Sequence, residues 1–369
     1  MNTTLIMNAS EGRIQFVLEQ EGSLACAQEW SAPSKGTELL TPALADAFQR
    51  LGIMPSDISR IACVAGPGSF TGLRLALTTA AAFRRAEALI FVGAAGIAVR
   101  SVAPHLVSKA RDPAVVVVDE LGRFAVPILS GHLGGANDLA REIAGLLGGQ
   151  AVLTTATDAR GIFAFDQWAR RLGCAIPDPE KIRPVASRML AGGTAAFWSQ
   201  WPVAGECPSG VVPAGQEAAQ VQLTIRDTPE PALKLVPRIV WAGIGCRRGV
   251  PAERLEAALR SGLEAAGLHP AALAGVCTID RKGEEPGLLE LCRRRRLPLL
   301  TYSPEELSRA EGEFTPSPFV RQVTGTDNVC ERAAVLASGG PLLLKKTAGE
   351  GVTAALAAAP FAPGWEEAP

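Results

Sequence analysis

The stretch AVVVVDELGRFAVPILSGHLGGAND, residues 114–138, decides the fold class because it passes from strand to glycine-rich turn to helix. Ala114–Val118 is wholly apolar and predicts a buried strand, and Phe124–Leu129 predicts a second strand. Beyond Asp138, leucine and isoleucine recur at helical spacing up to Leu147. A strand that leads through a polar turn into a helix predicts an α/β fold, built here from several small domains with mostly parallel sheets.

The turn inside this stretch is a candidate ligand site. It places one of the three histidines of the chain among glycines and short polar side chains, where an open α/β sheet usually holds its ligand. Its candidate substrate-binding residues are Ser130, Gly131, Gly134, Gly135 and Asn137. A second interpretation stays open, in which Asn137 or Asp138 simply caps the following helix.

The same alternation of strand and helix signals occurs on both sides. Ile61–Ala65 predicts a strand that enters the glycine turn Gly66–Gly72 and the helix Leu73–Arg85, and Ala88–Val92 predicts the next strand. The remaining predicted strands are Thr4–Asn8, Ile14–Glu19, Val152–Thr155, Ile239–Ala242, Gly275–Ile279, Leu297–Thr301, Pro341–Lys345 and Val352–Ala357. The remaining predicted helices are Leu39–Leu51, a short helix from Ile97, Phe165–Leu172, a helix from Pro251 to Gly267, Pro286–Arg296 and Asp327–Leu336. A capping box is predicted at Ser303 and a loop from Trp201 to about Gln220. The predicted domains are 1–86, 87–150, 151–236 and 237–362, followed by a tail at 363–369.

Composition excludes several classes of protein. A content of 47% hydrophobic and 20% charged residues is typical of a globular protein, and a net charge of −1 speaks against direct nucleic-acid binding. The eight cysteines contain no CxxC pair, and with only three histidines a metal site built by the protein is not expected. No charged-then-apolar leader and no membrane-length apolar run are present, so we expect a cytoplasmic location and no membrane partner.

The start of the chain resembles one known family. The string GPGSFTGLR at residues 66–74, preceded by a predicted helix and the sequence LGI at 51–53, resembles the N-terminal half of the TsaB family. The resemblance covers residues 1 to about 86 and implies half of an actin-like fold. It also implies an alternative function, a scaffold subunit for threonylcarbamoyladenosine modification of tRNA, while an inactive fusion is a third possibility.

From Glu87 onward the chain resembles the cobalt-precorrin-5A hydrolases of anaerobic cobalamin synthesis (CbiG). The matching strings follow in order and include DPAVVVVDE at 112–120, the turn 130–137, GIGCRRG at 243–249, TIDRK at 278–282 and VCERAA at 329–334. The resemblance implies opening of a ring-A lactone on a cobalt corrinoid, with loss of a two-carbon fragment as acetaldehyde. It implies no cofactor beyond the cobalt that the substrate carries, and other cobalamin-pathway enzymes as partners.

On this reading, four residues are catalytic candidates: His132, Glu331, Lys282 and Glu285. His132 is the preferred base, since a neutral imidazole takes a proton near neutral pH. The further substrate-binding candidates are Arg100, Gly243, Gly245, Arg247 and Arg248, the arginines being suited to the carboxylates of the macrocycle. Structural alternatives remain for each: a turn hydrogen bond for His132, a solvated helix face for Glu331, and a surface pair for Lys282 and Glu285.

The junction between the two resemblances carries its own prediction. The helix Leu73–Arg85 runs directly into the strand Ala88–Val92, so the βαβ rhythm is kept across it. We therefore expect a hybrid sheet in which Ile61–Ala65 lies beside Ala88–Val92.

Overall fold

In a computed structural model of the chain, the residues described are 3–8, 13–31, 36–64, 88–107, 112–228 and 231–365. They divide into two compact units, one up to Gln167 and one from Trp168. The predicted turn Gly66–Gly72 and helix Leu73–Arg85 lie outside the described residues. The division into five segments stays a prediction.

The first unit is built on one sheet. Its strands are β1 Thr3–Asn8, β2 Arg13–Gln20, β3 Ser23–Ser31, β4 Ile58–Val64, β5 Ala88–Val92, β6 Ala114–Val118, β7 Phe124–Leu129 and β8 Gln150–Ala151. Its helices are α1 Gly36–Leu51, α2 Ala95–Val102, α3 Ala136–Leu147 and α4 Ala156–Ala159, and α5 Phe165–Arg171 follows. The strands lie in the order β3-β2-β1-β4-β5-β6-β7-β8.

The predicted hybrid sheet is confirmed. β4 and β5 pair in parallel, with Arg60 opposite Ala88 and Val64 opposite Val92. Apolar side chains from both sides of the junction, such as Ile61 and Phe91, belong to a single buried cluster. The boundary predicted near residue 86 therefore falls between two neighbouring strands of one sheet.

The second unit contains two sheets. Its strands are β9 Cys174–Ala175, β10 Ala195–Ser199, β11 Val211–Pro213, β12 Val221–Leu223, β13 Leu233–Pro237, β14 Val240–Cys246, β15 Leu273–Ile279, β16 Leu299–Tyr302, β17 Leu342–Gly349 and β18 Val352–Ala358. Its helices are α6 Ile182–Leu190, α7 Ala252–Ala265, α8 Pro286–Arg295, α9 Pro304–Ser308, α10 Pro318–Thr324 and α11 Cys330–Ser338. The sheet orders are β11-β10-β12-β13-β9 and β16-β15-β14-β18-β17.

Short 3-10 helices link several of these elements. They are Pro55–Asp57, Ala103–His105, Pro179–Lys181, Gln216–Ala218, Pro270–Ala272 and Asp280–Lys282. Most neighbouring strands run parallel, including β4–β5, β5–β6 and β14–β15, which confirms the predicted α/β class. Among the described residues, no helix has the length and apolar character needed to cross a membrane.

Two predicted segments differ from the structure, and several of its strands, β3 among them, were not predicted. The strand expected at Val152–Thr155 is wrong: β8 lies just before it and ends at Ala151, and the chain then turns so that the Thr155 hydroxyl bonds Asp158. The predicted loop from Trp201 contains β11, which pairs with the start of β10. β3 was not predicted, since its sequence shows no clear alternation of apolar and polar residues. None of its side chains is fully buried in the structure.

Candidate functional site

The turn between β7 and α3 has a backbone that depends on its small residues. Ser130 lies in the left-handed region (φ 54°) and its hydroxyl donates to the Asp112 carbonyl at 3.0 Å. Gly135, the N-cap residue of α3, also has a positive φ of 84°. A Cβ on Gly134 would lie 2.4 Å from the Cβ of Ser130. Ser130, Gly134 and Gly135 therefore shape the turn, and their contact with a substrate stays a prediction.

The turn presents His132 to two carboxylates. The His132 Nε2 atom lies 2.9 Å from Asp158 Oδ2, and its Nδ1 atom lies 3.2 Å from Asp166 Oδ2. The imidazole is largely enclosed, with 16% of the side chain exposed. Because the two carboxylates bond different nitrogens of the ring, they and the imidazole do not face a common point where a metal ion could bind. Within the described ranges, no group of three or more histidine, cysteine or acidic side chains is arranged to hold a metal ion.

Asp158 is the centre of this cluster. Its Oδ2 atom accepts from His132, from Asn137 Nδ2 at 2.9 Å and from the Thr155 hydroxyl, while its Oδ1 atom accepts from Arg141 at 2.6 Å. Burial alone would raise the pKa of this carboxyl, but the hydrogen bonds from Thr155, His132 and Arg141 outweigh it and hold the pKa below its ordinary value. Asp158 is therefore a carboxylate at neutral pH.

The same contacts fix the charge of His132. Its hydrogen bond to Asp166 is the largest influence, and with the contacts to Asp158 it outweighs burial and raises the pKa of the imidazole to about 9. The side chain is an imidazolium at neutral pH, and both ring nitrogens donate. The sequence led us to expect a neutral imidazole, and the structure gives an imidazolium whose two N–H groups face carboxylates. The catalytic role of His132 stays a prediction.

The capping interpretation of the turn is wrong. The N-cap position of α3 is Gly135, and the helix start has no side-chain capping hydrogen bond. Asn137 instead bonds Asp158, and Asp138 accepts from Arg141 at 3.0 Å and from Gln167 at 2.9 Å.

A second polar group lies in the other unit, where β14 and β15 end. Lys282 Nζ donates to Glu285 Oε2 at 2.7 Å, and the backbone N–H of Gly249 donates to Glu285 Oε1 at 2.6 Å. The Lys282 hydrogen bond, followed by that from Gly249, holds the pKa of Glu285 below its ordinary value. Only 6% of the Glu285 side chain is exposed, so this is not the surface pair of the structural alternative. Burial raises the pKa of the neighbouring Cys246 thiol.

Glu331 is fully buried, so the interpretation of it as a solvated helix residue is wrong. Its carboxylate accepts from the Thr315 N–H at 2.7 Å and hydroxyl at 2.8 Å, from Asn328 Nδ2 at 3.0 Å and from the Lys346 N–H at 2.6 Å. These contacts tie α11 to β17 and to the segment before α10. The structure gives Glu331 a structural role, and its catalytic role stays a prediction.

Two glycines of β14, in its middle and near its end, are places of close packing. A Cβ on Gly243 would lie 1.8 Å from the Cys330 carbonyl oxygen, and one on Gly245 would lie 2.5 Å from the Thr353 hydroxyl. Gly243 lets α11 approach β14, and no room for a ligand remains on that side of its Cα. Arg100, Arg247 and Arg248 are exposed.

Sequence reasoning missed the partners of His132. Asp158 and Thr155 follow the end of β8, and a run of hydroxyl and acidic residues after a strand is a signal that could have found them. Asp166 lies 34 residues beyond His132 at the start of α5 and carries no comparable signal.

Comparison with known proteins identifies the family. The family profile described as "Cobalamin synthesis G N-terminal" matches residues 77–158, and the one described as "Cobalamin synthesis G C-terminus" matches residues 240–357. The first match begins inside the segment that resembles TsaB and ends at Asp158.

Two solved structures are similar to a part of this chain. The crystal structure of CobE, a protein from the cobalamin (vitamin B12) biosynthetic pathway, is 34% identical with a TM-score of 0.32 and covers 34% of this chain and 94% of its own. YeaZ from Pseudomonas aeruginosa is 23% identical with a TM-score of 0.23 and covers 33% of this chain and 46% of its own.

Two curated relatives cover most of the sequence. The cobalt-precorrin-5A hydrolase of Salmonella typhimurium is 39% identical over 297 residues, which are 76% of this chain and 85% of the relative. The cobalt-precorrin-5A hydrolase of Priestia megaterium is 32% identical over 310 residues, which are 76% of this chain and 80% of the relative. The chain therefore belongs to the cobalt-precorrin-5A hydrolase family.

Proposed function

We propose that this chain hydrolyses cobalt-precorrin-5A, opening the ring-A lactone and releasing acetaldehyde to give cobalt-precorrin-5B. The observation that carries the proposal is the 39% identity that extends over 85% of the Salmonella hydrolase. The cobalt belongs to the substrate, and the proposal includes no resident cofactor. A cytoplasmic location, beside other enzymes of the pathway, is part of the same proposal.

The chemistry assigns His132 a role as proton donor. In lactone hydrolysis, the oxygen of water adds to the carbonyl carbon, the ring C–O bond breaks, and the departing alkoxide oxygen receives a proton. The two-carbon fragment then carries a hydroxyl group; as this hydroxyl loses its proton and becomes the aldehyde C=O, the C–C bond to the macrocycle breaks, and the macrocycle carbon takes up a proton. An imidazolium with a pKa of about 9 is protonated at neutral pH and can supply the proton to the alkoxide oxygen. Asp158 and Asp166 hold the ring in place from both sides.

Charged groups elsewhere supply further candidates for this reaction. Lys282 and Glu285 form an ion pair at the carboxyl ends of parallel strands, the usual ligand edge of such a sheet. The exposed arginines Arg100, Arg247 and Arg248 are suited to bind the peripheral carboxylates of the macrocycle.

The test is acetaldehyde release by the purified full chain supplied with cobalt-precorrin-5A. We expect the wild-type chain to release acetaldehyde, and His132→Gln to lower kcat by roughly 100-fold because glutamine cannot donate the proton. His105→Gln is the matched control, since His105 is exposed and should leave kcat unchanged. A wild-type chain that releases no acetaldehyde would falsify the proposed function, and equal rates for the two variants would remove His132 from it.

A further inference from the structure

Arg141, on α3, connects the charges around His132 to a further carboxylate. Its guanidinium donates through Nη2 to Asp158 Oδ1 at 2.6 Å and through Nη1 to Asp138 Oδ1 at 3.0 Å. Because Asp158 also bonds His132, groups of alternating charge follow one another through this part of the structure. Their order is Asp166, His132, Asp158, Arg141 and Asp138.

The carboxylate of Asp158 is divided between two cations. Its Oδ2 atom accepts from His132 Nε2, whereas its Oδ1 atom accepts from Arg141. Only 7% of the Asp158 side chain is exposed, so little water screens the charges that meet on it. The two cations repel each other and draw on the same negative charge, so Arg141 weakens the attraction between Asp158 and the imidazolium.

The orientation of the Asp158 carboxylate does not depend on Arg141 alone. Its Oδ2 atom also accepts from Asn137 Nδ2 at 2.9 Å and from the Thr155 hydroxyl. A Cβ on Gly131 would lie 2.6 Å from Asn137 Oδ1, so the turn packs directly against this amide and holds it in place. Removal of the guanidinium would therefore take away a charge while the carboxylate still faces the imidazole.

A proton donor that lies between two carboxylates benefits from such a balance. Asp166 and Asp158 already raise the pKa of His132 to about 9. Without Arg141, the imidazolium would be the one cation of this group, beside the carboxylates of Asp138, Asp158 and Asp166. A proton that is held more tightly is transferred more slowly to the departing oxygen of the lactone.

We propose that Arg141 is a positioning residue that acts on His132 through Asp158 and limits how tightly the carboxylates hold the transferable proton. It does not itself touch the substrate. Its effect on the reaction rests on the proposed function, whereas its effect on the titration of His132 does not.

The test that needs no substrate is an NMR titration of the full chain, with His132→Gln identifying the resonance. Arg141→Gln keeps a hydrogen-bond donor but removes the charge, and we expect it to raise the pKa of His132 by about half a unit to one unit. Arg141→Lys keeps the charge and should titrate close to the wild type. Arg123→Gln is the matched control, since Arg123 is an exposed arginine at the far end of β7 and should leave the titration unchanged.

A second variant tests the same balance from the other side. Asp138→Asn removes the carboxylate that shares Arg141, so the guanidinium charge acts more fully on Asp158 and the pKa of His132 should fall. A lowered or unchanged pKa of His132 in Arg141→Gln overturns the proposal, and so does a raised one in Asp138→Asn. The second variant decides the question if the first does not fold.

The functional test is acetaldehyde release from cobalt-precorrin-5A between about pH 6 and about pH 10. We expect Arg141→Gln to lower the plateau value of kcat by about threefold to tenfold, with little change in KM, and to move the loss of activity at high pH further upward. Arg141→Lys should restore most of kcat. A wild-type kcat and pH profile in Arg141→Gln would remove Arg141 from the reaction. If the wild-type chain releases no acetaldehyde, the proposed function fails, and the titration still decides whether Arg141 limits the hold on the proton.

Discussion

The charge of His132 is set by two individual contacts, and each can be removed by itself. Asp166→Asn replaces the charged partner that contributes most to the raised pKa by a neutral amide, so the pKa of His132 should fall from about 9 toward the ordinary 6.5. An NMR titration of the imidazole resonances measures the change, with His132→Gln identifying the resonance. An unchanged pKa of His132 in Asp166→Asn would show that the Asp166 carboxylate does not stabilise the imidazolium.

The same pKa makes a prediction about stability. Because the folded pKa lies above the unfolded one, the ion pairs of His132 stabilise the fold fully below about pH 6.5, and this stabilisation is lost as the pH rises through about 9. Urea unfolding at pH 6 and pH 9.5 should show a larger loss of unfolding free energy in the wild type than in Asp166→Asn. Equal losses would contradict the linkage.

We expect the buried carboxylate of Glu331 to contribute mainly to the free energy of unfolding. Each oxygen of the Glu331 carboxylate accepts two hydrogen bonds. Glu331→Gln replaces one of these oxygens by an NH₂ group, so the two donors that face it lose their acceptor. We expect unfolding in urea to show a loss of about 3 kcal/mol. Glu264→Gln, which alters an exposed side chain, is the control and should leave the midpoint unchanged. A stable Glu331→Gln chain without activity would instead favour the catalytic interpretation.

At the scale of elements, the approach of α11 to β14 depends on Gly243. Gly243→Ala would drive a methyl group into the Cys330 carbonyl, and the backbone of Gly243 is held in the sheet by the pairing of β14 with β18. We expect the variant to lose about 3 kcal/mol or more of stability, measured by thermal and urea unfolding. Gly349→Ala in β17, with nothing within 4 Å of the new methyl group, should behave as the wild type. If Gly243→Ala is as stable as this control, the close packing does not require a glycine.

Elements with a strong periodic or wholly apolar pattern were predictable from sequence. β5, β6 and β7 have the predicted bounds, and the capping box at Ser303 is present, because these signals are local. β3 could not be found by pattern, since its place in the sheet is decided by pairing with β2. The candidate site shows the same division. His132 was predictable because it lies in a local glycine-rich turn, whereas Asp166, 34 residues further along the chain, is brought to it only by the fold.

At the scale of the whole molecule, the segment that resembles TsaB and the segment that resembles the hydrolases contribute strands to one sheet. Removing residues 1–87 would leave β5 without its neighbour β4 and expose a row of backbone donors and acceptors. We expect a chain of residues 88–369 to self-associate, which size-exclusion chromatography with light scattering would detect against the full chain. A monomeric, fully stable shortened chain would show that the N-terminal strands are dispensable for the fold.

The pairing of β4 with β5 also bears on how the chain is made. During synthesis the ribosome releases β1 and β4 before β5, so the outer edge of β4 stays unpaired until residues 88–92 have emerged. A nascent chain that pauses between these two strands would expose the unpaired edge of β4 to other chains for longer. Slow translation of the segment between β4 and β5 should therefore reduce the yield of folded protein more than an equal pause after β8.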